Sequence, residues 1–124
     1  MMTSLFQVAL GGAIGAVCRH LTNVGALRLL GSSFPYGTMA VNVVGSFLMG
    51  VLVVALAQRG ATHFSPFLMT GILGGFTTFS AFSLDAVALY ERGDAALAAV
   101  YVFGSVMLGL AALVAGMAVA RGVL

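Results

Sequence analysis

Four long apolar stretches divide the chain, separated by short clusters of serine, glycine, proline and charged residues. They run from about Leu5 to Leu30, Gly37 to Gln58, Pro66 to Tyr90 and Ala95 to Ala120. Each reaches the ~20 residues that an α-helix needs to cross the hydrocarbon core of a bilayer. The pattern predicts an all-α integral membrane protein, a single transmembrane domain over residues 1–124 with four spanning helices. The first connection, Gly31 to Gly37, holds two serines and Pro35, and the second runs from Arg59 to Pro66. The third is only Glu91-Arg92-Gly93-Asp94. Ser65 followed by Pro66 reads as an N-cap with proline at the first helical position, and Asp94 reads as the N-cap of the last helix.

The third stretch departs from plain lipid-facing filling. It contains Gly71, Gly74 and Gly75, then Phe76-Thr77-Thr78-Phe79-Ser80-Ala81-Phe82-Ser83. Phe76, Phe79 and Phe82 recur every third residue, and Thr77, Ser80 and Ser83 follow one position behind, so a helix would carry adjacent aromatic and hydroxyl stripes. The glycines invite a backbone break just before these stripes, dividing the helix near residues 74–78 into a half that ends at about Gly74 and one that starts at about Thr78. Irregular backbone at membrane depth must be shielded by protein or line an ion or water site. Aromatic spacing of this kind also serves simple core or lipid packing, and threonines often bond back to their own helix.

The other stretches carry fewer polar groups. Gly11 and Gly15 form a small-xxx-small ridge suited to close helix packing. Arg19 lies well inside the first stretch, with His20 beside it and Asn23 on the same broad face. An arginine at that depth must snorkel, pair or face a wet cavity, so it serves either as an interfacial anchor or to draw an anion into a vestibule. Asn42, Gly45, Ser46 and Gly50 make a small, polar stripe on the second helix. The Asn42 amide either joins two helices or offers its two N–H donors to an anion. Asp85 lies late in the third helix, either near the interface or paired, an arginine being one candidate partner. On the fourth helix Tyr101, Ser105, Gly109, Ala112 and Gly116 share a small or hydroxyl face, of which Tyr101 and Ser105 are the candidates for lining something polar.

Composition narrows the classes. Of 124 residues, 61% are hydrophobic and 6% charged, too few charges for the surface of a small soluble domain. The first apolar run follows no basic residue and reads as a retained helix rather than a targeting segment. Cys18 is the only cysteine, and His63 has no companion ligand nearby in sequence, so a cysteine metal cluster or an internal disulfide is not expected. Isolated arginines with a net charge of +2 give no patch for nucleic acid. With four spans, Arg59 and Arg121 flank one side of the membrane and Arg28 and Arg92 the other. That balance gives no positive-inside bias, and the chain is expected to insert in both orientations and pair with an inverted copy of itself.

Gly74-Gly75-Phe76-Thr77-Thr78-Phe79-Ser80 with Phe82, in the third of four short spans, resembles the signature of the CrcB/Fluc fluoride channels. The resemblance covers essentially the whole chain, including the glycine-rich first helix with Arg19 and the Asn42, Gly45, Ser46 start of the second. It implies an antiparallel, dual-topology homodimer in the bacterial inner membrane. It further implies passive fluoride passage through two pores at the subunit interface and a central structural sodium ion. By match to the motif, Phe79 and Phe82 would be the pore phenylalanines and Asn42 the pore asparagine. Ser80, Ser83 and Thr78 would form a polar track, Tyr101 and Ser105 would line the path, and Arg19 would stand at its approach. The backbone carbonyls of Gly74 and Thr77 would hold the sodium. Chemistry agrees with those roles: a phenylalanine edge is weakly positive, and neutral oxygens can replace the water shell of a small cation.

Two other classes compete. A proton-coupled drug exporter of four helices needs a membrane-embedded carboxylate, and helices one, two and four contain no internal Asp or Glu, leaving Asp85 alone. A structural membrane subunit would account for the small-residue ridges but not for a broken helix beside a hydroxyl stripe. An enzyme is not expected, because no Ser-His, Cys-His or paired-carboxylate constellation lies at useful depth.

Overall fold

The computed structural model describes all 124 residues and contains four membrane-length helical spans. Helix α1 covers Met2–Leu30 and α2 covers Tyr36–Gln58. The third span begins with a 3₁₀ turn at Thr62–Phe64, continues as a π-helical stretch over Pro66–Leu73 and ends its first half in α3, Gly74–Phe76. Helix α4, Phe79–Glu91, is its second half, and α5 covers Ala95–Val123. The first helix thus starts three residues before the expected Leu5, because Met2, Thr3 and Ser4 continue it. Over the eight residues of Pro66–Leu73 the apolar pattern fits α or π winding equally, so the wider turns were not foreseeable.

Only 18 residues are buried, whereas the exposed set is rich in large apolar side chains such as Phe6, Leu10, Phe103, Met107 and Leu110. A surface of this kind suits hydrocarbon rather than water. Inside the protein, glycine sets the spacing. The α1 ridge lies directly on the first half of the third span: a Cβ on Gly11 would sit 2.5 Å from the Phe67 carbonyl oxygen, and one on Gly15 would strike the Ile72 carbonyl. Gly75 likewise meets Gly12, with 2.6 Å between a built Cβ and the Gly12 oxygen. Gly50 on α2 and Gly116 on α5 approach each other's helices in the same way, against the Leu113 and Phe47 carbonyls. Packing that close gains dispersion where hydrophobic burial offers nothing between helices in lipid.

This changes the reading of the central glycines. Gly74 and Gly75 are helical, Gly74 with φ −63° and ψ −37°, and the break falls after them. Thr77 (φ −86°, ψ 158°) and Thr78 (φ −152°, ψ 120°) are the extended residues. The break thus falls at the C-terminal end of the expected 74–78 range: Gly75 is needed for helix approach, and the threonine pair carries the bend.

The helix ends also differ from expectation. Ser65 precedes Pro66 as expected but already has helical angles (φ −55°, ψ −41°) carried over from the 3₁₀ turn, so its side chain makes no cap. Asp94 stands at the N-terminus of α5 without capping it, because its carboxylate accepts from Arg92 Nε at 2.8 Å. Arg92 Nη2 donates to the Ser33 carbonyl at 2.7 Å, tying the last connection to the first.

Candidate functional site

The break is held from outside the third span. Thr78 N–H donates to Asn42 Oδ1 at 2.8 Å, and Asn42 Nδ2 donates to the Thr78 carbonyl at 3.0 Å. One side chain of α2 therefore satisfies both polar groups of the most extended residue. Thr78 is buried, and its backbone would otherwise sit unpaired at membrane depth. The Thr78 hydroxyl accepts from Ala81 N–H at 3.1 Å, capping α4, while Thr77 Oγ1 donates back to the Leu73 carbonyl at 2.9 Å.

These bonds redirect donors. In an unbroken helix the Gly74 carbonyl accepts from Thr78 N–H and the Thr77 carbonyl from Ala81 N–H. Here the first donor goes to Asn42 and the second to the Thr78 hydroxyl. The two carbonyls implied as cation ligands are thus among those that the break leaves without a helical donor. Gly74 is exposed on this single chain, and the nearest atom to a built Cβ is the Met69 oxygen at 3.6 Å, so its face is open to a neighbour. The donor set is neutral oxygen, which suits a hard monovalent ion more than a transition metal.

Phe79, the first residue of α4, leaves this corner and is 80% exposed. Its ring lies 5.8 Å from that of Phe82, which in turn lies 5.2 Å from Tyr101. Phe82 is consequently half packed into the chain, whereas Phe79 projects from it. Beside the break a cavity of about 270 Å³ is lined by Asn42, Ser46, Thr77, Thr78 and Phe79 among others. Ser80 is exposed, with its hydroxyl 3.5 Å from that of Thr78. Ser83 donates back to the Phe79 carbonyl at 3.0 Å, leaving its lone pairs free. Ser46, named in the sequence only as part of a stripe, reaches the same cavity.

On the other side of α4, Tyr101 is fully buried among Leu89, Ala98 and Phe82, and Phe34 meets its ring edge-on at 5.5 Å. Its hydroxyl donates to Asp85 Oδ2 at 3.1 Å. The partner of Asp85 is thus a tyrosine rather than an arginine, and sequence gave no sign of it because sixteen residues and a turn separate them. Asp85 also lines a larger cavity, about 400 Å³, with Asn23, Thr38 and Arg92. Ser105, one turn beyond Tyr101, is the one buried side chain whose polar atom finds no partner. Arg19 is half-buried, takes part in no ion pair, and lies outside the larger cavity that Asn23 lines.

Four apolar spans, a broken third helix with an exposed aromatic at its corner, and cavities lined by hydroxyls and amides define a small multi-pass membrane protein of the channel or carrier kind. Residues 6–117 match the family described as "CrcB-like protein, Camphor Resistance (CrcB)". The chain is 71% identical over 122 residues to the "Fluoride-specific ion channel FluC" of Cereibacter sphaeroides, covering 98% of each. It is 59% identical over 125 residues to the protein of that name from Ruegeria sp., covering 100% of this chain and 99% of the relative. The like-named protein of Agrobacterium fabrum is 52% identical over 122 residues, or 97% of this chain and 98% of the relative. The chain belongs to the CrcB/FluC family, and with its four spans it is a multi-pass protein of the inner membrane.

Proposed function

We propose that the chain is a fluoride-selective passive channel, acting as an antiparallel homodimer with a pore on each side of the subunit interface. The observation that carries this reading is the corner at Thr77–Thr78: a helix broken at membrane depth, clamped by Asn42, with the Phe79 ring projecting from it. A ring that is 80% exposed in one chain and sits beside a hydroxyl-lined cavity suits a path completed by a second copy. The names of its relatives supply the anion.

Fluoride holds its water tightly, so a path must replace hydration without binding the ion too firmly. The Phe79 and Phe82 ring edges offer weak positive potential, and the Ser80 hydroxyl offers a donor. Asn42 spends one amide hydrogen on the Thr78 carbonyl and keeps the other for the ion. Ser83 serves the anion only by turning away from the Phe79 carbonyl, and of Thr78 and Ser80 one hydroxyl at a time can donate across their contact, leaving the other's hydrogen for the ion. Ser105, with no partner of its own, would face the path from α5, and Tyr101, buried with its hydroxyl on Asp85, would back it through the Phe82 ring that it packs against. Arg19 would raise the local anion concentration at the approach, without a carboxylate to neutralise it. A sodium ion held by the Gly74 and Thr77 carbonyls of two copies would supply fixed positive charge at the interface.

Expression in bacteria stripped of their own fluoride exporters tests the reading in cells. Growth in fluoride-containing medium should recover. Recovery of resistance to cationic drugs, lost again in Asp85→Asn, would instead favour a proton-coupled exporter.

A further inference from the structure

Asn42 makes both of its structurally defined bonds to one backbone residue, and that residue is the one whose N–H would otherwise close on the Gly74 carbonyl. Loss of the Asn42 acceptor would leave a buried N–H whose nearest helical alternative is that same carbonyl. A healed turn of this kind would occupy the oxygen and swing it back along the helix axis. Side-chain amides seldom accept and donate to one buried residue by accident, since both partners must be in register with the Thr78 backbone.

We infer that Asn42 is a positioning residue for the cation site: by taking the Thr78 N–H it keeps the Gly74 carbonyl free to ligate. This rests on the proposed sodium ion and goes beyond the pore role, which needs only the remaining amide hydrogen. The two roles use different atoms of one side chain. Oδ1 holds the break open, and the free Nδ2–H faces the anion. They are therefore separable by substitution. Asn42→Ala removes both, whereas Asn42→Asp keeps an acceptor for Thr78 N–H and removes both amide hydrogens, the one on the Thr78 carbonyl included.

The test follows the Gly74 carbonyl itself, ¹³C-labelled in the purified dimer, as sodium is exchanged for N-methylglucamine. In the wild type its resonance should move with sodium. In Asn42→Ala it should take the position of a helix-bonded carbonyl, and half-saturation should require about tenfold more sodium or above. Asn42→Asp should keep the sodium response while losing fluoride flux to charge repulsion. If Asn42→Ala does not fold, the Asp variant decides: a retained response, or one lost together with a helix-bonded Gly74 carbonyl, supports the role, and one lost while that carbonyl stays free overturns it. An Asn42→Ala protein that responds to sodium as the wild type does overturns the positioning role and leaves the channel untouched. A wild-type carbonyl blind to sodium removes the cation, and this role with it.

Discussion

Phe79→Ile is expected to lower fluoride efflux about tenfold or more while the protein stays folded and dimeric. The ring is 80% exposed within one chain, so the substitution empties no intrachain core. Isoleucine keeps the apolar surface but has no quadrupole, and hence no positive edge to set against the dehydration of the anion. An aromatic interaction of this kind is worth about 1 kcal/mol, and each ~1.4 kcal/mol on a barrier is a factor of ten. A path that meets the ring while the ion is barely hydrated feels it more strongly, since few water molecules remain to compensate. Phe82→Ile makes a less clean comparison, because Phe82 packs its ring 5.2 Å from Tyr101 and its loss disturbs the core around Leu89 as well. Efflux from Phe79→Ile equal to that of the wild type would withdraw the ring from the pathway and leave the fold as described.

Gly15→Ala is expected to destabilise the protein by about 1–3 kcal/mol, as overpacking against a neighbour that cannot yield. The added methyl meets the Ile72 carbonyl oxygen and the Phe76 N, both main-chain atoms of the half-helix that carries the break. Relief requires α1 to back away from the third span, which forfeits the contacts that Gly11 and Gly75 permit along the same seam. Gly25→Ala on the same helix is the matched control. Nothing lies within 4 Å of its added Cβ, and alanine is a better helix former than glycine by about 1 kcal/mol. Denaturation in detergent should separate the two variants clearly. Equal stability would contradict the account of the seam.

The four spans were legible because apolar length is a strong signal in a chain with 6% charged residues. The unusual character of the third span was legible from the glycines, threonines and phenylalanines crowded into it. Its division near residues 74–78 was legible as well, but which residues inside that range stay helical was not. Gly74 and Gly75 have the composition of a hinge, yet α1 approaches so closely that Gly75 is needed for space, and the bend passes to Thr77 and Thr78. Such a distinction depends on a neighbour from another part of the chain. The same holds for Asp85, which meets Tyr101, and for Asp94, whose carboxylate goes to Arg92 instead of capping α5. Asn42 read from sequence as either joining two helices or giving its two donors to an anion, and the structure shows the first, committing one hydrogen and the carbonyl oxygen to Thr78. Local pattern shows which groups are available, and tertiary contact decides which are already spent.

The most direct measurement is ion efflux from liposomes loaded with equal fluoride and chloride and containing the purified protein. Fluoride should leave down its gradient without a coupled proton, and chloride should stay behind. Efflux of both anions at similar rates, or none from a folded dimer, would contradict the account.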